Sequence, residues 1–332
     1  MNTNAAGYVC TQPQCLMRPL ISSEGGLACD GPNHQGDRSI LFAPGTSTPV
    51  FEYQAPEVDE YNIANAAQIH DNALSWLFRT FKTTELDFRT NIVRRLNLRH
   101  GHRVLITAAG AGNDIPFVTD ALGESGEVYA QDYSKEMLLW GERRAREQHR
   151  AAGVTLFFSV GDASRLPFRS DFFDAALHFG GINLFPDKRL AIEEMDRVVR
   201  PGGRIVIGDE GVAPWLKGTE QAKILIHNTP LYAYDAPLEL LPVTAKEVDL
   251  SWEFSNSFYV LSFTASRDPL PFDIDVPHVG RRGGSMRTRF FGQLEGVDPR
   301  LKTEVFAEAE RRKVSRVELI ERLLRAGLAG RP

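Results

Sequence analysis

The sequence predicts a doubly wound α/β fold: a mostly parallel seven-stranded sheet with an antiparallel hairpin at one edge, a small Cys/His-bearing module before it, and a strand with two helices after it. Three observations predict this. Between residues 103 and 208, strand-like runs alternate with helical ones, the rhythm of a parallel sheet covered by helices. The first of these strands, "RVLIT", runs straight into the small-residue turn "AAGAGND". Finally, "DLSWEFSNSFYVLSFTAS" has two β-rich runs separated by the turn residues Ser255, Asn256 and Ser257.

The expected segments are a module over 1–53, helices over 54–100, the main domain over 101–270, and a basic segment with one strand and two helices over 271–332. The hydrophobic share of 42% supplies a sizeable core, and no apolar run approaches the roughly 18 residues needed to span a bilayer. The opening "MNTNAAGYVCTQPQC" has neither the basic nor the apolar region of a secretory leader, so a cytoplasmic chain with reduced cysteines is expected. Residues 281–332 hold 13 Lys and Arg against 7 Asp and Glu, which makes them +6 and leaves −11 on the rest. That mild overall charge argues against a chain built mainly to hold nucleic acid.

The elements follow in order. Cys10, Cys15, Cys29 and His34 lie in a stretch rich in Gly, Pro and Ser. Two pairs of soft or borderline ligands suit a tetrahedral, closed and therefore structural zinc, although four-residue gaps are wider than the usual knuckle. Next, "EYNIANAAQIHDNALSWLFRTF" spaces Ile63, Ala67, Leu74, Leu77 and Phe78 helically, and "ELDFRTNIVRRLNL" reads as a second helix. In "RVVRPGGRIVI", Pro201 stops a helix and Gly202 and Gly203 turn into a strand. In the tail, Asp298 and Pro299 open one helix and the capping pair Ser315 and Glu318 opens another, after the strand-like "MRTRFFGQLE".

The order and spacing of "LITAAGAGND", "VYAQDYS", "VGDASRLPFRSDFFDAAL" and "MDRVVRPGGRIVI" over about 85–210 resemble class I S-adenosylmethionine-dependent methyltransferases of the ubiquinone and menaquinone biosynthesis type, a Rossmann-like family. The resemblance implies S-adenosylmethionine as cofactor, a small-molecule acceptor and S-adenosylhomocysteine as product. It implies that the backbone at Ala109, Gly110 and Gly112 approaches the cofactor, that Asp132, 20 residues after Gly112, takes the ribose hydroxyls, and that Asp162 takes the adenine amino group. Tyr133, Met137, Ala163, Phe179 and Gly180 would complete the wall. The sequence departs from the family at two positions, with Ile106 where an acid is usual and Ala108 where a glycine is usual. Ala108 is tolerable at ordinary backbone angles and costly at positive φ. Asp114 is expected to supply the missing charge, with Thr107 offering a hydroxyl.

Methyl transfer needs alignment more than side-chain chemistry, with a base only where the nucleophile must lose a proton. Glu210 and His227 are the candidate catalytic residues; Tyr61, His178 and Asn183 are candidates for the acceptor, and Asp209 lies beside them. The Cys/His module resembles the zinc ribbon that precedes the methyltransferase domain in some large-subunit rRNA guanine methyltransferases. The tail resembles a ribbon-helix-helix unit, which implies a possible homodimer, and Arg281, Arg282, Arg287 and Arg289 could meet an anion. Two alternatives stay open at this point: an RNA base methyltransferase, suggested by the ribbon and basic tail, and a non-catalytic binding or regulatory protein, suggested by Ile106 and Ala108.

Overall fold

The computed structural model describes residues 7–37, 39–51, 61, 63–148, 153–269, 271–279, 285–291 and 297–330. The chain divides into two units, residues 1–269 and 270–332. At the start of the first, β1 (Ile21–Ser23), β2 (Gly26–Ala28) and β3 (Ser39–Leu41) form a small antiparallel sheet. Strands this short cannot stand alone. Two helices follow, α1 (Ala66–Thr80) and α2 (Glu85–Arg94); the Thr84 hydroxyl caps the latter by accepting from Asp87 N at 3.1 Å.

The alternation then runs β4 (Arg103–Thr107), α3 (Ile115–Leu122), β5 (Gly126–Asp132), α4 (Lys135–Gln148), β6 (Val154–Val160), β7 (Phe173–Phe179), α5 (Lys188–Val198), β8 (Val199–Glu210), α6 (Glu220–Asn228), β9 (Lys246–Glu253) and β10 (Phe258–Thr264). The sheet order is β6-β5-β4-β7-β8-β10-β9, with the first five strands parallel and the expected hairpin antiparallel at the edge. The chain winds from β4 outward to β6 and returns to β7 on β4's other side. That reversal opens a crevice at the carboxyl ends of β4 and β7, where sheets of this kind bind ligands.

Alternation along the strands divides the core between two faces. Val104, Ile106, Val128 and Ala130 pack with Ile92, Val118 and Leu138 from the helices α2, α3 and α4. Leu105 and Tyr129 face the other way, towards Ile192 and Met195 of α5. On this second face the β6–β7 connection, residues 161–172, contains no helix. The N-terminal module fills the gap: Tyr8, Leu20, Leu27 and Phe51 share one buried cluster with Tyr129 and Phe168, and the Tyr8 and Phe168 rings lie 5.2 Å apart. A bridge from Tyr8 to Phe168 ties it to the β6–β7 connection, and one from Val50 to Val160 ties it to β6 of the main sheet. The module is thus a covering layer on this face of the sheet, since its own three short strands bury little by themselves.

In the second unit, the strand expected at "MRTRFFGQLE" is instead a helix over its described part, α7 (Met286–Phe291); residues 292–296 lie outside the described residues. Ser285 accounts for the difference, since its hydroxyl accepts from Thr288 N at 3.2 Å and opens a helical turn. Among the described residues the likeness to a ribbon-helix-helix unit rests on α8 (Pro299–Arg311) and α9 (Arg316–Ala329), which pack on each other. Their caps form as expected, with Asp298 accepting from Arg300 N at 2.8 Å and Ser315 from Glu318 N at 3.1 Å. Arg287 pairs with Asp275 at 2.7 Å, while Arg281 and Arg282 lie outside the described residues.

Candidate active site

The turn after β4 runs under three positive-φ residues, Ala108 (49°), Gly110 (51°) and Gly112 (76°). At Gly112 the positive φ favours glycine, and a Cβ would also press on Ile115 Cδ1 at 3.1 Å. Ala108 has no such freedom, and its left-handed backbone stores strain of about 1 kcal/mol. Ile106 is 1% exposed and belongs to the core, offering no polar atom to the turn.

Asp132 ends β5 directly beside this turn. Its carboxylate accepts from Gly110 N and from Ser134 N, each at 2.7 Å, which ties the turn to the start of α4. Ser134 reaches across to Tyr61, donating from Oγ to the Tyr61 carbonyl at 2.6 Å. Tyr61 packs beside Ala66, Ala67, Ala111 and Met137, against the turn. Asp162, exposed after β6, accepts from Ser164 N at 2.8 Å, and Ala163 is buried behind it. At the end of β7, Phe179 lies edge-on to Phe88 at 4.8 Å, and Gly180 and Gly181 have φ of 79° and 98°. A Cβ on Gly181 would touch Ala108 Cβ at 3.9 Å, so the β4 and β7 loops adjoin across the crevice.

Sequence reasoning missed the helices' grip on the turn. Gly141 of α4 presses against it, since a Cβ there would meet Ala111 C at 2.8 Å and both Gly110 O and Gly112 N at 3.0 Å. Arg144 donates to Ala111 O, to Asn113 Oδ1 at 2.8 Å and to Asp71 Oδ2 at 3.1 Å. Arg89 of α2, 3% exposed, pairs with Asp114 at 2.5 Å and with Glu85 at 2.6 Å. Asp114, expected to supply a compensating negative charge, therefore has that charge already neutralised. Glu85 and Arg89 stand at i,i+4 on the apolar side of "ELDFRTNIV", the one signal that pointed to this pair. Thr107 is likewise committed, its hydroxyl 2.9 Å from His178 Nδ1.

The acceptor candidates divide. His178 is 1% exposed inside the sheet, and burial lowers its pKa to about 4, so it is a neutral internal residue. Asn183, Asp209 and Glu210 do come together: Asp209 accepts from Asn183 N at 2.7 Å and Glu210 N at 2.8 Å, and Asn183 Nδ2 donates to Glu210 O at 2.7 Å. Lys188, another residue missed, donates to Asn183 Oδ1 at 3.0 Å. Burial, then the neighbouring Asp209 carboxyl, holds Glu210 well above the usual carboxylate range. His227 lies exposed in the last turn of α6, outside this hydrogen-bonded group.

In the N-terminal module, the ligand atoms of Cys10, Cys15, Cys29 and His34 all lie within 4.8 Å of one another. Cys29 and Cys15 sulfurs are 3.7 Å apart, and His34 Nδ1 is 3.4 Å from both Cys10 and Cys15 sulfurs. Tetrahedral zinc–thiolate bonds of about 2.3 Å imply sulfur–sulfur separations of about 3.8 Å, so the set fits zinc. His34 Nε2 contacts the Asp37 carbonyl at 3.0 Å, the outer contact that orients a ligating imidazole. Gly31 leaves room for the cluster, since a Cβ there would press on Cys29 Sγ at 3.2 Å.

A parallel sheet with a terminal antiparallel hairpin, a glycine turn after its first strand and a carboxylate ending the second is the class I S-adenosylmethionine-dependent methyltransferase fold. The central domain has that fold. Residues 79–221 match the model of the ubiE/COQ5 methyltransferase family. A demethylmenaquinone methyltransferase of Geobacillus sp. (strain WCH70) is 36% identical over 121 residues, 36% of this chain and 50% of that one. The ubiquinone/menaquinone biosynthesis C-methyltransferase UbiE of Burkholderia multivorans is 32% identical over 115 residues, covering 35% of this chain and 46% of its own. The chain thus spans about half the length of the curated relatives it matches. Phosphoethanolamine N-methyltransferase 2 of Haemonchus contortus, solved with S-adenosyl-L-methionine, superposes with a TM-score of 0.51 at 15% identity, over 66% of this chain and 62% of that one. At that identity the likeness speaks for the fold.

Proposed function

We propose that the protein transfers a methyl group from S-adenosylmethionine to a small-molecule acceptor and releases S-adenosylhomocysteine. The observation that carries this reading is the Asp132 carboxylate at the end of β5, bonded to the glycine turn through Gly110 N. A carboxylate accepts up to four hydrogen bonds, so Asp132 can hold the turn and ribose hydroxyls together. Asp162 at the next strand then takes the adenine amino group, with Ala163 and Met137 as apolar walls. The backbone of Ala109, Gly110 and Gly112, with Tyr133, Phe179, Gly180 and the covering Tyr61, encloses the rest. The cofactor supplies a sulfonium methyl that is already strongly electrophilic.

The chain's own contribution is alignment and the handling of one proton. Glu210 is the candidate acceptor for that proton, because burial and the neighbouring Asp209 carboxyl make its carboxylate more basic than an exposed one, and Asn183 and Asp209 orient its backbone. Those relatives are named for demethylmenaquinone and for ubiquinone/menaquinone biosynthesis, and a small quinone-like acceptor at the ends of β7 and β8 is the corresponding reading here. We also assign the Cys10, Cys15, Cys29 and His34 cluster to structural zinc, a closed site with no open coordination position. Reduced thiols on a metal suit the cytoplasm. Among the described residues no helix is long and apolar enough to cross a membrane. Mixing the protein with methyl-labelled S-adenosylmethionine and reduced naphthoquinones tests the reading; labelled product lost in E210Q supports it, and turnover unchanged in E210Q removes Glu210 from it.

A further inference from the structure

We propose that His70 of α1 binds the amino-acid end of the cofactor, donating a hydrogen bond from Nδ1 to its α-carboxylate; this rests on the S-adenosylmethionine reading above. The direction of the ligand follows from strand order. With adenine at β6 and ribose at β5, strand order carries the rest of the molecule towards β4, whose following turn is touched by α1 through Ala66 and Ala67 and by α2 through the Arg89–Asp114 pair. The inward face of α1 there runs from Ala66 and Ala67, packed against Ala111 and Met137, to Leu74, Leu77 and Phe78 in the core. His70 stands between these two apolar patches on the same face. Its Nδ1 is buried and has no hydrogen-bond partner among the described residues, a cost that a ligand would remove.

The surrounding charges leave this role open. Asp71, Glu85 and Asp114 face Arg89 and Arg144, three carboxylates against two guanidiniums, and the surplus negative charge suits the cofactor's ammonium. Both guanidiniums are spent on those carboxylates and on the turn itself. Ile106 and Thr107 contribute nothing further, so the carboxylate needs a donor from elsewhere. Burial lowers the His70 pKa, so at neutral pH the ring is uncharged and keeps one N–H to donate.

The test is calorimetric titration of the full-length protein with S-adenosylhomocysteine and with 5′-methylthioadenosine, which lacks the amino-acid end. H70A should weaken S-adenosylhomocysteine by roughly tenfold or more, the worth of a charge-assisted hydrogen bond, and leave methylthioadenosine within about twofold. H70F, which keeps the ring's bulk, should show the same split, so the test survives if H70A does not fold. H70N, with an amide close to where Nδ1 stands, should recover most of the loss. Equal weakening of both ligands, or no weakening of either, overturns the inference. If the wild-type protein binds neither ligand, the cofactor reading itself has failed, an outcome distinct from the other two.

Discussion

Ala108 carries a left-handed backbone at 49° without glycine's freedom. A108G should relieve about 1 kcal/mol of strain while making the unfolded chain more flexible, for a net gain of about 0.5 kcal/mol in denaturant melts. A loss of stability would mean that the methyl group's contacts outweigh the strain. His178 gives a pH prediction. Its folded pKa of about 4 lies below the ordinary 6.5, so its contribution is complete above pH 6.5 and is lost as pH falls towards 4. Over that window the contribution is up to about 3 kcal/mol. Urea midpoints at pH 7 and pH 5 should differ less in H178N than in the wild type, and an unchanged difference would discount His178 as a source.

At the scale of elements, α2 and α4 clamp the turn by different means. Arg89→Met would leave Asp114 and Glu85 facing each other without a cation, and should cost about 3–5 kcal/mol in a denaturant titration. If R89M unfolds like wild type, the buried pair contributes little. Gly141→Val would drive α4 off Ala111 and Gly112 and should weaken cofactor binding more than it lowers the melting temperature. The strands were legible in the sequence because apolar runs and small-residue turns are local signals. The Arg89–Asp114 pair joins residues 25 apart in sequence, which no local pattern records. The α7 error has the converse origin, since a single hydroxyl from Ser285 outweighed the β-like look of "MRTRFF".

For the whole molecule, the Cys/His ligands were legible from residue type and spacing, but their module's position was not. Its place depends on the missing helix between β6 and β7, a gap visible only once the sheet exists. Because Tyr8, Leu27 and Phe51 share a core with Tyr129 and Phe168, metal removal should unsettle the sheet as well as the ribbon. A strong chelator, or C29S, should lower one common melting transition in calorimetry. Two transitions, the upper one unmoved, would make the module an independent appendage.

The glycine turn and Asp132 are expected to hold S-adenosylmethionine despite Ile106 and Ala108, an expectation open to direct measurement. Its most direct test is calorimetric titration of the purified protein with S-adenosylmethionine, repeated on D132A. Micromolar binding in the wild type, lost by at least about tenfold in D132A, is the predicted result. No binding at millimolar cofactor, or equal binding by D132A, would contradict it.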